Sequence, residues 1–197
     1  ANIHSGIFMN GQVVLYRDQL VYSSEIPTET VEKFHQMVKE DGYGLTAYND
    51  KQFYLVASSP GAKDAYGFIH SNPPALNPDF YKENPINMML FISLPPAEEK
   101  YKVAFPNLDF LRNTPYSVDV ISKGNSKAEG IKRFLEHLNQ EDAKTYAFGD
   151  GPNDIEMLQA VSHPVAMGNA LPILKEIAEF ITTDNTDNGI VNGLKHY

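Results

Sequence analysis

Two carboxylates four positions apart, Asp150 and Asp154, stand in the run Gly149-Asp150-Gly151-Pro152-Asn153-Asp154. Gly149 and Gly151 flank the first of them and give the backbone the freedom to turn both carboxylates inward. Oxygen donors in that arrangement suit a hard divalent cation. Magnesium in particular keeps several waters and is usually bound by one or two carboxylates with a substrate phosphate, not by a full protein cage. The same residues also fit an ordinary helix start. Asn153 is a good N-cap, Glu156 three positions on completes a capping box, and Asp154 in the first turn complements the helix dipole. That alternative leaves Asp150 unexplained, because it precedes the cap and ends an apolar strand where a solvent-facing turn has no need of a carboxylate.

The elements that must position these residues are legible around them. Residues 146–148 read as a short buried strand, 149–153 as a tight loop, and 154–161 as a helix with Ile155, Leu158 and Val161 on its apolar face. A strand, a loop and a helix make half a βαβ unit. In an open parallel sheet, ligands collect beyond the carboxyl ends of the strands, which is where this loop belongs. From Ser122 onward the chain alternates in this way. Ser126 and Glu129 form a capping box that opens a helix whose expected buried face is Ala128, Ile131, Phe134, Leu135 and Leu138. Strands at 145–148, 164–167 and 180–182 follow, with helices at 154–161, 171–179 and 190–196. Lys127 falls at the first helical position, where its charge opposes the dipole. As a solvated side chain it would give the fold at most about a few tenths of a kcal/mol, so the misfit favours a functional role.

Gly149 to Asp154 with Met157-Leu158, followed by Val165-Ala166-Met167-Gly168-Asn169-Ala170, resembles the fourth motif and following strand of haloacid dehalogenase superfamily phosphatases of the Cof-type branch. Residues 122–131 are similar to the family's lysine motif, with Lys127 as the lysine, and residues 182–190 resemble its closing Thr…Asp-Asn-Gly-Ile segment. A shorter pattern of this kind occurs in P-type ATPases, but those need long membrane spans, and no such run is present in this sequence. The resemblance implies an α/β fold, a partial doubly wound, Rossmann-like core with an α+β cap domain. It implies a magnesium-dependent phosphoric monoester hydrolase that works through an aspartyl-phosphate on a small phosphorylated metabolite such as a sugar phosphate. Asp150 would bind Mg2+ directly, Asp154 would complete or orient its shell, Lys127 would stabilise the charge of nucleophile and phosphate, and Asn153 would hydrogen-bond in the same cluster. The cap would supply specificity, and its motion would gate turnover.

Along the chain, this resemblance assigns residues 1–9 to the end of a core strand, 10–118 to the cap and 119–197 to the C-terminal half of the core. Asn10-Gly11 between apolar runs is a strong turn signal, and 12–16 and 20–22 read as a hairpin about a polar turn at 17–19. A helix over 28–40 carries Val31, Phe34 and Val38 on one face and ends at Asp41-Gly42. Strands are expected at 45–48 and 52–57. Residues 58–85 are broken by repeated Pro and Gly and read as loop-rich with one short helix. Residues 86–94 read as a buried strand, a helix runs from Pro95 to about residue 105, and 116–121 alternates as a strand. The result is an antiparallel sheet covered by helices.

Composition narrows the partners. A net charge of −9 without any Lys/Arg cluster argues against nucleic acid or an anionic membrane, and a phosphorylated ligand would need a cation to offset that charge. The absence of cysteine excludes a thiolate nucleophile, a disulfide framework and a cysteine metal site. The six histidines are scattered without paired ligand spacing. With no 18-residue apolar run and no charged-then-apolar leader, the cytoplasm is the default expectation.

Family members carry an Asp-x-Asp-Gly-Thr segment, whose first aspartate is the nucleophile and whose second is the acid/base, and then a Ser or Thr that holds the phosphate. No Asp-x-Asp occurs in these 197 residues. The expectation is that a segment of about 60–80 residues, two βαβ units, lies outside them and that they are inactive alone. Should they prove active, Asp184 or Asp187 in the closing loop would be the replacement nucleophile. A half-covered parallel sheet would favour a homo-oligomer. The alternative function is a non-catalytic binding or interaction module.

Overall fold

The structure, a computed structural model, describes residues 4–197, so the first three residues of the expected 1–9 segment lie outside the described residues. The chain groups into two units, Ala1–Val21 with Asn125–Tyr197, and Tyr22–Gly124. The crossings therefore fall after residues 21 and 124, where the sequence had suggested 9 and 118. The shift at the first crossing has a simple origin. β1 (Gly6–Phe8), β2 (Val13–Tyr16) and β3 (Gln19–Ser23) form one three-stranded sheet in that order, so residues 10–21 stay with the strand before them. β1 and β2 are antiparallel, Gly6 opposite Leu15 and Phe8 opposite Val13. The Asn-Gly signal becomes a short 3-10 turn at Met9–Gly11 that joins this first hairpin. Arg17 and Asp18 then turn the chain into β3 with φ of 50° and 64°, the two-residue geometry that matches strand twist, tighter than the three-residue turn expected.

The Tyr22–Gly124 unit contains α1 (Thr28–Glu40), β4 (Gly44–Tyr48), β5 (Phe53–Ala57), α2 (Ala62–Phe68), α3 (Phe80–Glu83), β6 (Met88–Ile92), α4 (Glu98–Ala104), β7 (Leu108–Thr114) and β8 (Ser117–Ser122). Its five strands form an antiparallel sheet in the order β5-β4-β6-β8-β7. Alternation sorts the side chains. Leu45, Ala47, Met89, Phe91, Val118 and Val120 meet Val31, Phe34 and Val38 of α1 and Tyr101 of α4 in the main core. Leu55 and Ile92 meet Ala62, Ala65 and Tyr66 of α2 in a smaller cluster. Phe34 is the hinge pin of the larger core, edge-on to Phe91 at 5.6 Å and 5.0 Å from Tyr101 between ring centroids. Two helices, not one, occupy residues 58–85, and β7 was not expected. Arg112, which β7 carries, grips Glu98 of α4 with two hydrogen bonds of 2.6 and 2.7 Å.

The remainder of the first unit runs α5 (Lys127–Leu138), β9 (Tyr146–Gly149), α6 (Ile155–Ala160), β10 (His163–Ala166), α7 (Pro172–Ile177), β11 (Phe180–Ile181) and α8 (Gly189–Leu194). β9, β10 and β11 form a parallel sheet with β10 in the middle. Leu158 of α6 and Leu174 of α7 bury against Ala147, Ala166 and Met167, with Ile155 and Val161 packed beside them as the periodicity predicts. α5 differs from expectation. Its apolar face is only half-buried, and the one buried residue is Gly130. A Cβ there would lie 2.4 Å from Ile7 Cγ2, so backbone closeness to β1, more than aliphatic bulk, seats this helix.

Candidate active site

β9 ends at Gly149, and the chain leaves the sheet through Asp150, Gly151 and a 3-10 turn at Pro152–Asp154 before α6 begins. Asp154 is buried at 5% exposure and its carboxylate organises the loop. Oδ2 accepts the backbone N–H of Asp150 at 3.0 Å and that of Gly151 at 3.1 Å. Oδ1 pairs with Nζ of Lys127. Gly149 is required for this closeness, since a Cβ on it would stand 2.7 Å from that of Asp154.

Two alternatives to a functional reading do not hold here. The capping box of Asn153 and Glu156 does not form, because Asn153 lies inside the 3-10 turn Pro152–Asp154 and α6 begins after Asp154. Asn153 instead donates from Nδ2 to Oδ1 of Asn10 at 3.1 Å, tying the loop to the Met9–Gly11 turn. Lys127 is also no solvated surface residue. Its side chain is 31% exposed against 7% for that of Asp154, so an ammonium at the mouth of the site is paired with a carboxylate beneath it. Of the capping box expected at Ser126 only the N-cap half forms: Oγ accepts the Glu129 N–H at 3.3 Å, while the Glu129 carboxylate lies 4.0 Å from the Arg133 guanidinium. The turn at Asn10 and Gly11 lies directly on this helix start: Gly11 has φ of 91°, and a Cβ on it would meet the Ser126 carbonyl oxygen at 2.0 Å.

Asp150 is exposed and differently held. Its Oδ2 accepts Nδ2 of Asn169 at 2.7 Å, and its carbonyl accepts the N–H of Leu171 at 3.2 Å. Oδ1 of Asn169 in turn accepts the N–H of Asn185, which links Asp150 to the closing loop. Asn10 and Asn169 are thus positioning residues to which the sequence reading gave no role. The only signal for Asn169 was its place in the run after β10, nineteen residues from the group it holds. Asp184 and Asp187 shape the closing loop locally: Asp184 Oδ1 accepts the Thr186 N–H and hydroxyl, and the Asp187 carbonyl accepts the Thr183 hydroxyl.

Lys127, Asp150, Asn153 and Asp154 therefore converge beyond the carboxyl end of β9. Two carboxylates against one ammonium leave a net negative charge, and Asp150 Oδ1 carries no hydrogen bond among the described residues. No group of three or more His, Cys, Asp or Glu side chains fit to enclose a metal occurs among the described residues. This donor set fits a cation that keeps most of its coordination for water and phosphate, as magnesium does.

A parallel sheet with carboxylates on the loop beyond a strand end, carrying a separate α+β unit between its parts, is a Rossmann-like α/β protein. The chain belongs to the haloacid dehalogenase-like hydrolase family, whose model matches residues 2–194. It is 37% identical over 194 residues to "Putative phosphatase YkrA" of Bacillus subtilis (strain 168), an alignment covering 98% of this chain and 75% of that protein. Among solved structures, a hypothetical protein from Geobacillus kaustophilus HTA426 superposes with a TM-score of 0.88 at 32% identity, over 98% of this chain and 76% of that one. The HAD subclass IIB sugar phosphatase BT4131 superposes with a TM-score of 0.85 at 26% identity, over 98% of this chain and 75% of that one. No helix among the described residues is long and apolar enough to cross a membrane.

Proposed function

We propose that this chain carries most of a magnesium-dependent phosphoric monoester hydrolase that acts on a small phosphorylated metabolite, a sugar phosphate in the first instance. The observation that carries the reading is the convergence of Lys127, Asp154 and Asp150 beyond β9 in a member of a hydrolase family. The sugar phosphatase among its structural neighbours supports the substrate class.

Each residue has a distinct task. Asp150, through the oxygen that Asn169 leaves unused, would hold Mg2+ directly. Asp154 has both oxygens engaged by Lys127 and the loop amides, so it would orient the loop that holds the cation. Lys127, with its ammonium at the mouth, offsets charge on the phosphate. Asn153 and Asn10 fix the loop. Bound there, the cation would neutralise charge on the transferring phosphoryl group. The in-line nucleophile is an aspartate supplied from outside these 197 residues, which contain no Asp-x-Asp pair, and Tyr22–Gly124 acts as the cap.

That same missing pair favours one other reading, a binding module without turnover. Release of inorganic phosphate from sugar phosphates, by this chain joined to an Asp-x-Asp-Gly-Thr segment, separates the two. Turnover that EDTA abolishes and Asp150→Asn removes is the expected result. A folded protein that binds the phosphoester without cleaving it would establish the binding module.

A further inference from the structure

A cavity of about 740 Å³ is lined wholly by residues of the Tyr22–Gly124 unit. Its place follows from strand register. Ile92 pairs with Ser117 at the cavity's end of the sheet and Met88 with Ile121 at the other, the end from which β8 leaves the unit. Four residue steps of about 3.4 Å each separate the two ends. The volume is within the usual range for a small-molecule site, about 300–1,000 Å³.

The walls are rings. Tyr43, Tyr101 and Tyr116 line it with Pro60, Pro95 and Pro96. The hydroxyls of Tyr43 and Tyr116 carry no hydrogen bond among the described residues. The charged groups are Asp41, Asp64 and Lys100. Lys100 gives Nζ to both oxygens of Asp41 at 2.8 Å, and the Tyr101 hydroxyl donates to Asp41 Oδ2 at 2.9 Å. The one ammonium is therefore already neutralised and Asp64 remains as uncompensated negative charge. A phosphate or carboxylate would meet no available cation here. Tyr101 is buried beneath the wall, whereas Tyr43 and Tyr116 are half-buried along it, so a planar ring has aromatic surface to meet and a positive charge attached to it has Asp64 to interact with.

We infer that this cavity, whose lining shares no residue with the loop beyond β9, is a second binding site, for an aromatic or heteroaromatic amine. The chain has no tryptophan, so the fluorescence of an indole probe can be followed directly on the 197-residue protein. Tryptamine, indole and indole-3-acetate differ in charge at nearly constant ring size. The expected result is saturable binding in the order tryptamine, indole, indole-3-acetate. Asp64→Asn should weaken tryptamine by about threefold and leave indole unchanged, as loss of one partly exposed charge interaction requires. Gly61→Leu should weaken binding of all three by projecting four carbons into the cavity. Its backbone is helical (φ −66°), and a Cβ there would approach nothing closer than 3.7 Å, so the variant can fold, which a thermal melt verifies. Absence of saturable tryptamine binding to the folded chain, tightest binding of the acid, or unchanged binding by folded Gly61→Leu would overturn the assignment.

Discussion

Asp154 and Asp150 look alike in sequence, yet removing them should have unequal consequences for the fold. Asp154→Ala deletes the acceptor of three hydrogen bonds, from Lys127 Nζ and from the N–H groups of Asp150 and Gly151. An amide stripped of its acceptor costs about 1–3 kcal/mol when fully buried, and less here because Asp150 is exposed and Gly151 half-buried. Lys127, 31% exposed, can turn toward water, so loss of the pair adds about 1 kcal/mol. The sum is about 2–4 kcal/mol, which for a protein of this size lowers Tm by about 5–12 °C. Asp150→Ala removes one exposed hydrogen bond to Asn169 and should stay within about 0.5 kcal/mol. Urea denaturation followed by circular dichroism at neutral pH measures both. Equal destabilisation by the two substitutions, or a loss below about 0.5 kcal/mol for Asp154→Ala, would refute the assignment of Asp154 as the loop's organiser.

Three further outcomes follow from other parts of the molecule. Gly149→Ala places a methyl 2.7 Å from Asp154 Cβ and should destabilise by about 1–3 kcal/mol, read as a lower urea midpoint. His35 is buried, with Nε2 donating to the Val56 carbonyl at 2.9 Å and Nδ1 3.2 Å from the Tyr81 hydroxyl, and burial holds its pKa below the ordinary 6.5. The unfolded chain therefore takes up its proton first, so stability is full above about 6.5 and falls as pH drops toward the folded value; His35→Gln should flatten that slope in Tm. The Arg112 guanidinium holds the Glu98 carboxyl below its ordinary range, so the stability that pair confers is present above 4.5 and lost as pH falls through the folded value. Glu98→Gln should remove this acid dependence, checked by melts across the acid range.

The fold was legible wherever local signals agreed with tertiary packing. The α1 face, the Ser126 N-cap and the three parallel strands all follow from periodicity and cap chemistry that the packing then uses. Where a signal met a competitor it failed. Asn153 and Glu156 spell a capping box, but Asn153 falls inside the 3-10 turn Pro152–Asp154 and α6 starts only at Ile155, so Asn153 does not stand at the cap position. β7 escaped notice because an edge strand has one unpaired side and admits polar residues such as Asp109, Arg112 and Asn113. α2 is a short helix with an internal glycine, stabilised by Tyr66, whose hydroxyl meets those of Thr46 and Tyr48 at 2.8 and 2.9 Å. Nothing local announces it. The site residues on the β9 loop were readable as a cluster, whereas Asn10 and Asn169 reach it only through the fold.

The most direct test of the phosphatase reading compares two proteins: these 197 residues alone, and the same residues joined to an Asp-x-Asp-Gly-Thr segment. Inorganic phosphate release from sugar phosphates would be followed as Mg2+ is titrated. The account predicts no turnover by the 197 residues at any Mg2+ concentration, and Mg2+-dependent turnover by the joined protein that disappears with Asp150→Asn. EDTA-sensitive turnover by the 197 residues alone, or turnover by the joined protein that survives Asp150→Asn, would contradict it.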